Sequence, residues 1–314
     1  MTGLRRPVIV CMVIVCLAMI RPTLGAAPQD RPLFTAESEL VVLHVTVKDR
    51  QGRYIAGLSK DAFSVLEDGR PQAIPFFTNE DAPVTVGLLV DNSGSMQSNR
   101  DLVLAAATAF VEHSNPRDEV FALTFNDTVQ RALPLDMPFT GDAAVLREAL
   151  THAISARGRT ALYDAIDAGQ AYLAGGRYER KVLVVVSDGG DNASDATFEQ
   201  VLNQTQTSNV VIHAVVLVDP VEADANPKRL KQLAQASGGV AFLPRDPRQV
   251  ADVLERVALD IRSAYTIGYV PANATPTGFH HIRVVVHSPN GRAVVVRSRA
   301  GYVAGPGHRG DHAP

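Results

Sequence analysis

Two short, almost uniformly apolar runs stand out in the hydrophobic pattern of the chain. They cover residues 84–90 and 182–186, and polar residues and glycines follow each run directly. Runs of this kind are typical of parallel strands that are buried on both faces of a sheet. Further apolar runs alternate with amphipathic stretches as far as residue 263, which predicts a doubly wound, mostly parallel α/β sheet.

The amphipathic stretches predict six helices within this region. They cover residues 98–113, 143–153, 161–174, 198–207, 227–236 and 247–262. The second apolar run is predicted as a strand at residues 181–186, and two further strands are predicted at 210–218 and 240–243. Residues 119–126 and 128–135 read as a hairpin-like pair that would add an edge strand to the sheet.

Both flanks of the α/β region show the two-residue periodicity of strands. Strands are predicted at residues 41–48, on both sides of a turn at 67–71, and at 265–270, 280–287 and 292–303. The last two would form a hairpin through the turn at 288–291. Because each flank has too few strands to bury a stable face alone, we expect both flanks to form one small β-sandwich-like domain. The α/β domain would then be inserted into it.

The amino terminus has the features of a secretory signal peptide. Arg5 and Arg6 precede an apolar stretch at residues 8–20, and small residues follow at 25–27. This stretch is too short for a comfortable membrane span. The predicted segments are therefore a signal peptide (1–26), an amino-terminal β segment (37–80), the α/β domain (84–263), a carboxyl-terminal β segment (264–304) and a disordered tail (305–314).

Cleavage of this signal would change both the cysteine content and the charge. It removes both cysteines of the chain, Cys11 and Cys16, and takes the formal net charge from −3 to −6 by removing three arginines. Export without disulfides is typical of a bacterial periplasmic or secreted protein. No basic stripe remains to neutralise phosphates, so a nucleic-acid partner is not expected. No membrane span is expected after cleavage.

Five oxygen-bearing side chains follow the strands in the positions that a cation site requires. Asp91, Ser93 and Ser95 follow the first apolar run, Thr160 precedes a predicted helix, and Asp188 follows the second run. Carboxyl ends of parallel strands form a ligand crevice, so these side chains should converge. Two carboxylates and three hydroxyls suit Mg²⁺, or Mn²⁺ as a second choice. Because hydroxyls carry no charge, the cation would stay electrophilic and could accept a carboxylate from a partner.

The segments DNSGS and SDGG, with the Thr160 loop between them, resemble the metal-ion-dependent adhesion site of a von Willebrand factor type A domain. The resemblance covers residues 84–262 and implies a Rossmann-like fold. It also implies that Ser93, Ser95 and Thr160 contact the metal, while Asp91 and Asp188 bind it directly or through water. Asp191 is not assigned. The flanking segments resemble a family of bacterial secreted proteins related to von Willebrand factor A, which brings no known activity.

Each part of the motif has a structural alternative when it is taken singly. Ser95, Ser98 or Thr160 would serve as helix N-caps, and Asp188 would lie in an ordinary turn between a strand and a helix. The last helix, 247–262, also has two interpretations. In the resembling family this helix can shift when the site is occupied, so it either transmits occupancy to the β domain or acts as a rigid tether.

Catalytic motifs fit the sequence poorly. The strand ends carry neither a G-x-S-x-G elbow nor a phosphate-binding glycine loop, and no His or Glu stands beside the motif as a general base. A non-enzymatic binding module is therefore favoured over a secreted metal-assisted hydrolase.

The histidines are interpreted as structural residues. His213 is expected to be a core or loop-supporting residue, and His280, His281 and His287 are expected to be polar residues at strand edges. His308 and His312 belong to the tail.

Two functions remain from this reasoning. The first is an exported, adhesion-type module in which the cation bridges to an acidic group of a partner protein. The second is a structural or assembly component of an envelope complex in which the metal only orders loops.

Overall fold

A computed structural model describes residues 40–217, 225–272, 277–288 and 291–304 of the 314-residue chain. The predicted signal peptide, the predicted tail and part of the predicted turn at 288–291 lie outside these residues. Within them no helix is long and apolar enough to cross a membrane.

Strands and helices alternate through the middle of the chain, and strands alone occupy both flanks. The strands are β1 (Val41–Lys48), β2 (Phe63–Glu67), β3 (Arg70–Gln72), β4 (Phe76–Thr78), β5 (Thr85–Asp91), β6 (Glu119–Phe125), β7 (Val129–Arg131), β8 (Lys181–Ser187), β9 (Val211–Val216), β10 (Ala241–Phe242), β11 (Tyr265–Tyr269), β12 (Gly278–Val286), β13 (Val295–Arg297) and β14 (Gly301–Ala304). The α-helices are α1 (Arg100–His113), α2 (Ala143–Ala153), α3 (Leu162–Leu173), α4 (Phe198–Thr207), α5 (Pro227–Ser237) and α6 (Val250–Arg262).

The central sheet has six strands in the order β10-β9-β8-β5-β6-β7. All neighbours are parallel except β7, which is antiparallel to β6 at the edge. Every residue of β5 is buried, as is every residue of β6, which agrees with the uniformly apolar run at residues 84–90. The doubly wound, mostly parallel fold class is therefore confirmed.

Helices cover both faces of this sheet because successive side chains of a strand point to opposite faces. Leu88 and Val90 belong to a buried cluster that includes residues of α1, α2 and α6. Leu89 belongs to a second cluster that includes residues of α3, α4 and α5. Both clusters bury the apolar runs completely, which fixes where the ends of β5 and β8 lie.

The flanks form two four-stranded antiparallel sheets. Their strand orders are β13-β1-β11-β4 and β14-β12-β2-β3, so each sheet combines strands from before and after the α/β region. Leu43 and Ile267 from one sheet share a buried core with Val65, Ile282 and Tyr302 from the other. The sandwich built from both flanks is thus present, while the residue bounds of the domains stay predictions.

Two local expectations are wrong. The stretch 292–303 is two strands, because β13 pairs with β1 in one sheet and β14 pairs with β12 in the other. The predicted hairpin between the last two strands therefore does not form, since the chain changes sheet after β12. The first helix begins at Arg100, and a 3₁₀ helix (Gly94–Asn99) precedes it.

Candidate metal centre

The carboxyl ends of β5 and β8 lie side by side. Val90 pairs with Val186, which makes Asp91 and Ser187 neighbours at the edge of the sheet. The Ser187 hydroxyl donates a hydrogen bond of 2.6 Å to Oδ2 of Asp91. The loops that carry Asp91 and Asp188 therefore leave the sheet next to each other, as expected from the order of the motifs.

Backbone hydrogen bonds join these two loops to the loop that carries Thr160. The Gly94 N–H donates to the Gly158 carbonyl at 3.2 Å. The Thr160 N–H donates to Oδ1 of Asn192 at 2.9 Å, and the Thr160 carbonyl accepts from the N–H of Asn192 at 2.9 Å. The protein's own hydrogen bonds thus hold all three predicted ligand-bearing loops together.

The two serines have the spacing that adjacent ligands of a small cation need. Their hydroxyl oxygens, Oγ of Ser93 and Oγ of Ser95, form a hydrogen bond with each other at 3.0 Å. Two oxygens at about 2.1 Å from Mg²⁺ in adjacent octahedral positions are separated by about 3.0 Å. Oδ1 of Asp91 accepts the Ser93 N–H at 2.9 Å, which fixes the turn that brings the serines together.

Burial around the site is high, except at Ser95. Asp91, Ser93, Thr160 and Asp188 are all buried, whereas Ser95 is half-buried. Polar side chains at this depth are usually paired or bind ions. The half-buried Ser95 marks the side from which a ligand can reach the centre.

The electrostatics favour a bound cation. Burial, with a smaller contribution from the charge of Asp188, raises the pKa of Asp91 to about 6 against the opposing hydrogen bonds from Ser187 and Ser93. Neither aspartate takes part in any ion pair with a basic side chain among the described residues. Two buried carboxylates of like charge are stabilised in their ionised form by a nearby positive charge. The donor set of two carboxylates and three hydroxyls therefore fits a hard divalent ion such as Mg²⁺.

Glycine is required directly after Asp188. Gly189 has φ of +85°, and an added Cβ would lie 2.8 Å from the Asn226 carbonyl oxygen. The tight turn lets the Gly190 N–H donate to Oδ1 of Asp188 at 2.8 Å, which orients the carboxylate. The SDGG sequence thus acts through its backbone as well as through its aspartate.

The N-cap alternatives for the serines and the threonine are wrong. Ala161 is the N-cap of α3, and Asn99 is the N-cap of α1, so Thr160, Ser95 and Ser98 do not occupy these positions.

Asp191 caps α3 from outside the helix, because its Oδ1 accepts the N–H groups of Leu162 at 2.9 Å and Tyr163 at 3.2 Å. This residue, which the sequence left unassigned, therefore has a structural role.

Asn92 is a site residue that sequence reasoning missed. It is buried, and its Oδ1 accepts the N–H groups of Ser155 at 2.7 Å and Ala156 at 2.5 Å. Its carbonyl accepts the Arg157 N–H at 2.9 Å. Asn92 thus ties the first loop to the one before Thr160. Asparagine is common in turns, so its position inside DNSGS carried no separate signal.

With this geometry in place, comparison with known proteins identifies the family. The model of the von Willebrand factor type A domain matches residues 86–256, and the chain belongs to this family. No curated protein sequence gives a significant match.

Solved structures with the same fold have low sequence identity. A von Willebrand factor type A protein from Catenulispora acidiphila is 14% identical, covers 87% of this chain and 76% of its own, and has a TM-score of 0.51. Proximal thread matrix protein 1 from the mussel byssus is 16% identical, with 62% and 51% covered and a TM-score of 0.51. Another structure of that mussel protein, described with a zinc-occupied MIDAS motif, is 17% identical, with 64% and 50% covered and a TM-score of 0.48. At these low identities, the similarities show a shared fold and no more.

Proposed function

We propose that the chain is an exported, adhesion-type module that binds a partner protein through a divalent cation. Asp91, Ser93, Ser95, Thr160 and Asp188 would hold Mg²⁺, or Mn²⁺ in its place. The bound ion would supply one open coordination position for a carboxylate oxygen of the partner.

The observation that carries this proposal is the junction of three loops at the end of β5. The hydroxyls of Ser93 and Ser95 have an octahedral edge spacing, and Asp91 is buried beside another carboxylate. Members of the family are generally interaction modules rather than enzymes, which supports binding over catalysis.

The surroundings of the centre suit an acidic partner. Gly94 and Gln97 are exposed on one side, and Arg157 is exposed on the loop before Thr160, where Arg159 pairs with Asp127. Basic side chains at the rim of an interface steer an acidic partner and raise its association rate.

The loop contacts also bear on the second function, an envelope component in which the metal only orders loops. Hydrogen bonds from Gly94 and Thr160 already join the loops without a metal ligand. A metal is therefore not needed to order these loops, whereas the half-buried Ser95 would give a partner access to the ion. This favours partner binding.

Partner capture in the presence and absence of metal tests the proposal. The purified protein is used as bait in envelope extract with Mg²⁺ and again with a chelator, beside the variants Asp91→Ala and Asp195→Ala. Asp195 is exposed and lies near the site, so it is the matched control. A partner that is retained only with Mg²⁺, and lost only with Asp91→Ala, supports the proposal. Loss of Mg²⁺ binding in Asp91→Ala with the partner retained supports the envelope-component function instead.

Export has its own test. Mass spectrometry of the protein recovered from the periplasm or the medium should find a chain that begins near residue 27. A chain that retains residues 1–26 and stays inside the cell contradicts the proposed location.

A further inference from the structure

The sandwich contains a second group of metal-binding side chain types, far from the first in sequence. Glu67 is the last residue of β2, Asp68 follows it in the turn to β3, and His280 lies in the neighbouring strand β12. Nδ1 of His280 is 2.8 Å from Oδ2 of Asp68 and 3.4 Å from Oε1 of Glu67. One nitrogen and two carboxylate oxygens therefore lie within 4.8 Å of one another.

The backbone holds this arrangement in place. The Asp68 N–H donates to the His281 carbonyl at 2.9 Å, and the His281 N–H donates to Oδ1 of Asp68 at 2.9 Å. Because Oδ1 is occupied by the backbone, Oδ2 is the oxygen directed at His280. The carboxylate orientation is thus fixed by the strand pairing and not only by contact with the imidazole.

Glu67 supplies an independent indication that a ligand belongs here. Its side chain is 5% exposed, and within the described residues its Oε2 has no hydrogen-bond partner. The buried hydroxyl of Tyr269 lies beside the Glu67 carboxylate but has no partner within hydrogen-bond geometry among the described residues. Buried polar atoms are seldom left unpaired, so a cation or its bound water would satisfy them.

We propose that Glu67, Asp68 and His280 form a second divalent-cation site, for which Zn²⁺ is the best match. Imidazole and carboxylate ligands are both common for zinc. Ligands at about 2.1 Å from a tetrahedral zinc are about 3.4 Å apart, which is the spacing of Glu67 and His280. The 2.8 Å contact between Asp68 and His280 is a hydrogen bond in this structure and would lengthen on zinc binding. Water would take the fourth position.

The competing state is a metal-free ion pair between a protonated His280 and the two carboxylates. Such a pair would satisfy Nδ1 of the imidazole but would leave Oε2 of Glu67 without a hydrogen-bond partner among the described residues. The two states differ in zinc stoichiometry, which can be measured directly.

Zinc titration calorimetry on the whole exported chain tests the site. The background variant is Asp91→Ala, which removes the centre at the end of β5 and so separates this test from the proposed function. In this background we compare Asp68→Asn, His280→Gln and the control Asp49→Asn. Asparagine tolerates the φ of +48° at Asp68, so this variant should fold even if the His280 variant does not. Asp49 is the matched control, because its Oδ1 also accepts backbone N–H groups in a turn.

We expect one equivalent of zinc to bind the background protein and the Asp49 control with equal affinity. Asp68→Asn and His280→Gln should each weaken binding by roughly tenfold or more, since loss of a ligand exceeds the effect of losing its supporting contacts. Zinc should also raise the melting temperature of the background protein but not that of Asp68→Asn. Absence of zinc binding in the background protein, or equal affinity in Asp68→Asn, overturns the proposal.

Discussion

Replacement of Asp260 by alanine should destabilise the whole protein by disconnecting α6 from the sandwich. Asp260 is 2% exposed and lies near the end of α6. Its Oδ1 accepts a hydrogen bond from the Tyr54 hydroxyl at 2.9 Å and lies 3.3 Å from Nζ of Lys48. Its Oδ2 accepts a hydrogen bond from the Arg297 guanidinium. One carboxylate thus connects the last helix of the α/β domain to strands β1 and β13.

The magnitude follows from the groups that alanine would leave behind. Removal of one partner of a buried ion pair costs about 3–5 kcal/mol, because the remaining charges stay buried. Lys48 and Arg297 are 28% and 23% exposed, so water can rehydrate part of each group. We therefore expect about 3 kcal/mol, at the lower end of that range. For a protein of this size the melting temperature should fall by roughly 6–12 °C.

Urea unfolding followed by circular dichroism measures this loss, since the chain has no tryptophan to report by fluorescence. Asp246→Ala is the control, because its ion pair with Arg248 lies on the surface, and with the Arg248 N–H as its backbone donor it should lower the unfolding midpoint much less than Asp260→Ala. Asp260→Asn should fall between wild type and Asp260→Ala, since an amide still accepts from Tyr54. Equal midpoints for the alanine variants of Asp260 and Asp246 would refute the anchoring role.

Three further predictions concern capping, pH and coupling. Asp191→Ala should lower the free energy of unfolding by about 1–2 kcal/mol through loss of the α3 cap. In calorimetry this variant should lose much less Mg²⁺ affinity than Asp91→Ala. Equal losses of affinity would contradict the capping role. Burial lowers the pKa of His213 to about 4. The neutral His213 side chain therefore stabilises the folded protein fully above pH 6.5, and this contribution is lost as the pH falls toward 4. Between pH 6.5 and 5 wild type should lose about 2 kcal/mol more than His213→Gln in urea unfolding, and parallel profiles would contradict this. Hydrogen exchange at residues 247–262 should not change on addition of Mg²⁺, because Asp260 anchors α6; faster exchange would support transmission to the sandwich.

The central sheet was predictable because its strands are buried on both faces. Every position of β5 is buried, so its place in the interior of the sheet follows from the sequence. The bounds of α2 and α4 were also exact, since both helices have strong start signals. Asp142 accepts the N–H groups of the first turn of α2, and Thr197 forms a capping box with Gln200.

Pairings between distant segments could not be predicted. Residues 292–303 have one continuous strand pattern, yet Thr46 pairs with Arg297 in one sheet while His280 pairs with Tyr302 in the other. Local periodicity does not specify the partner of a strand. For the same reason His280 was interpreted as a strand-edge residue, and its contact with Asp68 emerged only in three dimensions.

The cation site was partly predictable. The family resemblance implied five ligand positions, which stay predictions, and the ends of β5 and β8 are neighbours as expected. The role of Asn92 depends on a hydrogen bond from a loop residue 63 positions away. The role of Asp191 depends on a hydrogen bond from the first residue of α3, 29 positions away. Such contacts do not affect the pattern of apolar and polar positions, so Asn92 was missed and Asp191 was left unassigned.

A crystal structure grown with Mn²⁺ tests the central claim most directly, because manganese gives an anomalous signal that locates it without assumptions. We predict a peak at the carboxyl end of β5, in contact with the hydroxyls of Ser93 and Ser95 and with a water or carboxylate in its open position. Intact loops with no manganese peak between Asp91, Thr160 and Asp188 would contradict the account.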